Sequence, residues 1–461
     1  MHILDFSYDD LLEIAKRARV ADIRSWIQTC KAFASLQESL ALPLRLLRLI
    51  EEHDLSPDIL ELPAGASAVE SLVTRPQRFQ NLLLQGALTG QSLVCYHTTI
   101  QNEEILRANI VPGGRWLVTI TVSVEESSDR PIMCRVWDLD HAHEESDLEP
   151  YATMSLPASD GYNTGQLWLR RSSEGNTAQI WVYTVGLRVI EFDHLDRKIP
   201  LKLLRIISTE GVDTSEGIGL HGDYVFDVER YAGPTITVLN WVTGFKKTFE
   251  FKAQIYVTSN YHVLSIGPEG LVVLDQINQT IAFYALPGSG LGTRDWSEPV
   301  QGGIDNVGVL YCVKWTTIQG IVPYGPGQPL HWPPVNRPYS TPQPATSVIK
   351  FPQHLVYVEY SSNPRETDLD KLPLAFVMPA GSSEPYVYQR TMDGHVVGVS
   401  VLGFDVHFLM KDGTQSVQSF EHEFGDNWTR KFVCPFGGVI GGFGTSRHVD
   451  KIYLWKLDGS F

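Results

Sequence analysis

The sequence predicts a mainly β chain: a closed β-propeller of about seven blades with a small α-helical head at its N-terminus. Three observations predict it. From about residue 93 the apolar pattern changes from a helical period to a period of two, and helical patterning stops. Short runs of strand-forming residues then alternate with Gly, Pro, Asn and Asp clusters, as at 116–122, 180–183, 236–239 and 407–410. Strands this short and regular mean a sandwich, barrel or propeller. An internal phrase decides among them: two apolar residues, a polar one, another residue and a turn. It stands as Val136-Trp137-Asp138-Leu139, Val189-Ile190-Glu191-Phe192 and Val238-Leu239-Asn240-Trp241. A weaker copy is Val273-Leu274-Asp275-Gln276, and the last is Leu454-Trp455-Lys456-Leu457. The first three copies lie about 50 residues apart, close to the length of a propeller blade. The apolar pair is expected on the third strand of each blade, with Trp137 and Trp455 buried between blades.

The chain divides into a helical head (1–50), a helical neck and linker (51–92) and the propeller (93–461). In the head, Ser7 with Asp10 forms a capping box, which satisfies free N–H groups at a helix start. Leu11, Leu12, Ala15 and Ala18 follow at helical spacing. Asp22 opens a second helix, whose apolar face is Ile23, Trp26, Ile27, Cys30, Phe33 and Ala34. Two helices this short have too little core to bury such faces alone. Pro43 starts a third helix, in which Leu44, Leu47 and Ile50 share a face. Residues 53–67 are a linker in composition, and 68–84 form one more helix that Pro76 breaks or kinks.

The head resembles an F-box. The resemblance rests on Leu11-Leu12-Glu13-Ile14, then Asp22-Ile23, then Cys30-Lys31-Ala32-Phe33 and a closing Leu36. F-box sequences usually begin Leu-Pro, and here Leu4-Asp5-Phe6 stands in that place. The Val-Trp-Asp phrase resembles WD repeats, in a degenerate form without a clear Gly-His partner. Together the two look like a fungal F-box protein with a C-terminal WD-like propeller. That resemblance implies a substrate receptor of an SCF-type (Skp–cullin–F-box) ubiquitin ligase. The head would dock on a Skp-type adaptor through Leu11, Leu12, Ile14, Ile23, Ile27, Cys30 and Phe33. The propeller would hold a protein substrate, and ubiquitin chemistry would be left to other subunits. The missing Leu-Pro implies weaker adaptor binding than a regular F-box shows.

Composition narrows the partners. Hydrophobic content of 43% with 10% aromatic fits a folded chain. A net charge of −16 argues against general nucleic-acid binding, which needs a basic footprint. The 5 cysteines are far apart and form no CxxC pair, which fits thiols in a reducing compartment. No basic-then-apolar leader is read at the N-terminus, so the expected location is intracellular, cytoplasmic or nuclear. The most apolar long stretch, 396–410, is interrupted by Asp405 and His407 and is too short to cross a bilayer.

Few motifs carry chemistry. His141, His143, Glu144, Glu145 and Asp147 could bind a divalent metal, but they read more simply as a solvated acidic loop. Gly288-Ser289-Gly290-Leu291-Gly292 lacks the Lys-Ser/Thr of a phosphate loop and reads as a turn. Neither a nucleophile elbow nor a zinc-protease motif is present, so no catalytic residue, metal or cofactor is expected. The segment 323–344 holds eight prolines and cannot be a central strand. Its Tyr324, Trp332 and Tyr339 are the expected substrate-binding residues, because a proline-stiffened loop loses little entropy on binding. Two rivals stand beside the ligase reading. One is a propeller scaffold without adaptor; the other is a propeller lyase or hydrolase with acidic groups at its channel.

Overall fold

In this computed structural model, the described residues are the strands and some adjoining residues between 93 and 457. Residues 1–92, with the head and neck, lie outside them. So do 140–148, 286–307 and 318–344. Every described element is a β-strand.

The chain enters through β1 (Leu93–Gln101), which does not pair with the strand that follows it. Next, β2 (Glu103–Ile110), β3 (Trp116–Ser123), β4 (Ile132–Asp138) and β5 (Ala152–Leu156) form an antiparallel sheet in chain order. A second four-stranded meander repeats the order with β6 (Gln166–Arg171), β7 (Ala178–Tyr183), β8 (Leu187–Phe192) and β9 (Leu201–Ile207). The third holds β10 (Ile218–His221), β11 (Tyr224–Glu229), β12 (Thr235–Asn240) and β13 (Lys246–Lys252). The fourth holds β14 (Tyr261–Gly267), β15 (Gly270–Asp275), β16 (Thr280–Ala285) and β17 (Gly308–Thr317). Parallel pairing of β13 with β17 joins these two into an eight-stranded sheet. Two three-stranded meanders follow: β18 (Ala345–Lys350), β19 (His354–Tyr360) and β20 (Leu374–Val377), then β21 (Val396–Leu402), β22 (Asp405–Met410) and β23 (Gln415–Ser419). The apolar stretch 396–410 is therefore a hairpin. The last meander is β24 (Trp428–Cys434), β25 (Val439–Ser446) and β26 (Val449–Leu457), and β1 completes it.

That completion joins the two ends of the β region. β1 runs antiparallel to β26 along its whole length, from Leu93 opposite Leu457 to Gln101 opposite Val449. First strands of neighbouring meanders also approach one another. β2 lies against β6 on one side and β24 on the other, and β10 lies against β14.

The repeated phrase falls on the third strand of its meander in four copies. Val136-Trp137 is in β4, Val189-Ile190 in β8, Val238-Leu239 in β12 and Leu454-Trp455 in β26. The weaker copy, Val273-Leu274-Asp275, departs from the expectation: it lies in β15, the second strand of its meander. Burial explains the likeness. Every residue of β15 is buried, so a second strand there carries the same apolar pair as a third strand elsewhere. Gly270 opens β15 because an added Cβ would lie 2.2 Å from the Tyr284 carbonyl oxygen.

Two cores are built between sheets. Val118, Ile120, Cys134 and Val136 of the β2–β5 sheet pack with Ile180, Val182, Ile190 and Phe192 of the β6–β9 sheet. Trp116, 1% exposed, anchors this interface, with ring centroids 5.0 Å from both Tyr151 and Phe192. Ile236, Val238, Phe249, Leu271, Val273 and Leu310 build the second core across the eight-stranded sheet. Trp137 is buried as expected, its indole N–H donating to the Thr119 hydroxyl at 2.9 Å. The side chain of Trp455 lies outside the described residues.

Truncation of a buried aromatic typically costs about 3–5 kcal/mol. Trp116→Ala should therefore lower the urea midpoint of unfolding strongly, while Trp315→Ala, at 51% exposed, should leave it nearly unchanged. Equal shifts in the two variants would contradict the sheet-to-sheet packing described here.

Candidate functional site

The residues expected to carry function are not described. Leu11, Leu12, Ile14, Ile23, Ile27, Cys30 and Phe33 lie outside the described residues, as do Tyr324, Trp332 and Tyr339. What the structure does place is the strand that leads into the Pro-rich segment. β17 pairs with β16 from Tyr311 to Thr317 and with β13 only from Gly308 to Tyr311. Beyond Tyr311 its other edge is not paired with a described strand. Tyr311, Val313 and Trp315 are 55%, 61% and 51% exposed. Tyr311 stands opposite Ala285 and Trp315 opposite Ala282, with Val313 at a bulge between them, so the register puts Tyr311 and Trp315 on opposite faces of the strand, and the mixed sequence of β17 gave no sign of which residues would be exposed. Six residues beyond Thr317 the Pro-rich run begins. Cys312, beside Tyr311, is half-buried, and burial raises its pKa; its thiol donates weakly to the Lys314 carbonyl at 3.7 Å.

A second exposed apolar group lies on β9 and the turn before it: Leu195, Ile199, Leu203, Leu204 and Ile206. Here too the run Leu-Lys-Leu-Leu-Arg-Ile-Ile reads as any strand, and what distinguishes it is that no described strand pairs with its outer edge.

Several polar groups in the described residues hold strands together. Arg115 forks onto Asp138, with Nε–Oδ1 3.1 Å and Nη2–Oδ2 2.8 Å, and its guanidinium stacks 4.5 Å over Trp116. The polar residue of the Val-Trp-Asp phrase thus fastens the end of β4 to the start of β3. On β2, Glu103 accepts from both Arg135 nitrogens and from the Thr121 hydroxyl, with Nη2–Oε1 2.6 Å. Burial by itself would raise the Glu103 carboxyl. The hydrogen bonds from Arg135 and Thr121, with the Arg135 charge, outweigh it and hold the carboxyl below its usual range. Burial pushes the Cys134 thiol up to about 12, so it stays protonated and inert. Arg188 on β8 is 6% exposed, and its Nε and Nη1 have no hydrogen-bond partner. Such a group costs stability rather than adding to it.

Among the described residues, no group of three or more His, Cys, Asp or Glu is arranged to hold a metal ion. Among them, too, no helix is long and apolar enough to cross a membrane. The acidic stretch with His141 and His143 lies outside them.

No family model matches the chain, and no curated protein matches it. Among solved structures it is similar to the β-propeller domain of Cps50 (Swd1) from Myceliophteria thermophila. Identity is 11%, coverage is 78% of this chain and 99% of that one, and the TM-score is 0.41. It is also similar to a catalytically inactive virginiamycin B lyase from Staphylococcus aureus, solved with quinupristin. There identity is 10%, coverage 79% and 100%, and the TM-score 0.36. Likenesses this distant assign no function.

The Glu103 cluster sets a pH dependence. A carboxyl whose folded pKa is depressed adds stability above its unfolded value, near 4.5, and loses it as pH falls through the folded value. Wild type should therefore be more stable than Glu103→Gln at pH 7, and the gap should close as pH falls below about 4.5. Thermal melts across that range check it; a gap that widens in acid would contradict the assignment.

Proposed function

We propose that the seven meanders close into one propeller and that this propeller is a protein-binding platform. Five separate meanders and the two joined by β13 and β17 make up the count of blades. The β1–β26 register supports closure, because it places the first and last described strands in one blade. A ring so closed leaves no long unpaired inner edge. The observation that carries the binding role is the group Tyr311, Val313 and Trp315, exposed around the half-paired end of β17 where the chain leaves for the Pro-rich segment. Tyr324, Trp332 and Tyr339, the substrate-binding residues expected from the sequence, follow in that segment.

The head gives the platform its use. Docked on a Skp-type adaptor through the faces that carry Leu12 and Ile23, it makes the chain an intracellular substrate receptor of an SCF-type ubiquitin ligase. The chain then does no chemistry of its own: it brings a protein substrate to a ligase whose other subunits carry ubiquitin. The support is the F-box-like spacing of the head.

Co-purification with a Skp-type adaptor tests this. Wild type should retain the adaptor. A Leu12→Ala, Ile23→Ala double variant and a chain lacking residues 1–36 should both lose it, since a central apolar anchor is worth about 2 kcal/mol or more. The melting temperature of the β region should survive both changes. If wild type retains no adaptor even at low salt, the ligase role falls and a protein-binding scaffold without adaptor takes its place.

A further inference from the structure

β9 is the outer edge of its sheet. It pairs with β8 on one side, and no described strand pairs with it on the other. The outward N–H and C=O groups of such a strand are a template for another. Between the buried ends Leu201 and Ile207, all of residues 202–206 are exposed. The register sorts them onto two faces. Leu203 and Ile206 stand opposite Ile190 and Arg188, on one face; Lys202 and Arg205 stand opposite Glu191 and Val189, on the other. Leu204 falls at the bulge between them.

The turn before β9 is held in place. The Asp193 carboxylate accepts from the Leu195 N–H at 2.9 Å. The Asp196 carboxylate accepts from the N–H groups of Lys198 at 2.9 Å and Ile199 at 3.2 Å. Leu195 and Ile199 are therefore presented on an ordered turn, which lowers the entropy cost of a contact.

Charge chooses the occupant. From 195 to 207 the sequence carries Arg197, Lys198, Lys202 and Arg205 against Asp196, with Glu191 opposite Lys202 on β8, so the edge keeps an excess of positive charge within a chain of net charge −16. A second copy of β9 laid on this edge would bring like charges together, which destabilises a strand pair. A strand with carboxylates on one face and apolar side chains on the other meets both faces of β9 correctly. We propose that the β9 edge binds an extended segment of a partner protein that alternates apolar and acidic residues, by strand addition. The apolar side chains lie over Leu203 and Ile206, and the carboxylates lie beside Lys202 and Arg205. This rests on the protein-binding reading above and not on the adaptor or the ligase.

Fluorescence anisotropy of the full chain with labelled peptides tests it. The probes are short peptides of alternating valine and glutamate, valine and lysine, and serine and glutamate. The valine–glutamate peptide should bind saturably, weaken as salt is raised, and bind at least about tenfold better than the other two. Leu203→Ser with Ile206→Ser should abolish binding. Lys202→Glu with Arg205→Glu should exchange the preference to the valine–lysine peptide. Glu250→Gln, at an exposed position of β13, should change nothing, and circular dichroism should show each variant folded. No saturable binding of the valine–glutamate peptide would overturn the proposal. So would equal binding of both charged peptides, binding unchanged in the β9 variants, or a dimer of the chain that those variants dissolve. Adaptor retention measured on the same samples separates the two readings: peptide binding can fail while the adaptor stays, and the reverse.

Discussion

The fold depends on one pairing, that of β1 with β26. Their partnership spans the full nine residues of each strand and is antiparallel without a register shift. Among the described strands it is the most non-local pairing, made at the entropic cost of closing a loop of more than three hundred residues. Loop closure grows only slowly with length, so a ladder of this size can offset it. Without that ladder, β1 would be a lone strand and β26 an open edge. With it, a chain of local meanders acquires a single continuous end-to-end constraint.

Within that constraint, the sheets are held together by what their facing sides carry. The β2–β5 sheet shows both kinds of side. One carries Trp116, Val118, Ile120, Cys134 and Val136 and packs against the β6–β9 sheet. The other carries Thr119, Thr121, Trp137 and Arg135, tied by hydrogen bonds to one another and to Glu103. The apolar side supplies area burial, and the polar side supplies geometry that an apolar pair would not fix. Arg188 shows the opposite case: a guanidinium brought under cover by its place in β8, with two donors unmet.

Much of the fold was legible in the sequence, and little of the surface. The switch to a period of two, the strands at 116–122, 180–183 and 236–239, and four of five copies of the repeated phrase matched the elements found. The fifth copy misled because burial on both sides makes a second strand look like a third. The exposed residues of β17 and β9 were hard to place for a related reason. A bulge interrupts each strand, at Val313 and at Leu204, so polar and apolar residues do not alternate regularly in the sequence, and only regular alternation reveals a face. What exposes Trp315 or Ile206 is an edge on which no described strand pairs, and which edge is left so is set by sheet topology and not by local pattern. The Arg115–Asp138 fork was legible in principle, as a basic residue before Trp116 and an acid after Trp137 on paired strands. Finding it required the register of β3 on β4.

The most direct test of the account is amide hydrogen exchange of residues 93–101 in the full chain and in a chain truncated after residue 448. The account predicts that this segment is protected in the full chain and exchanges at once when β26 is gone, because no other described strand pairs with it. Protection that persists in the truncated chain would contradict it, and with it the closure of the β region.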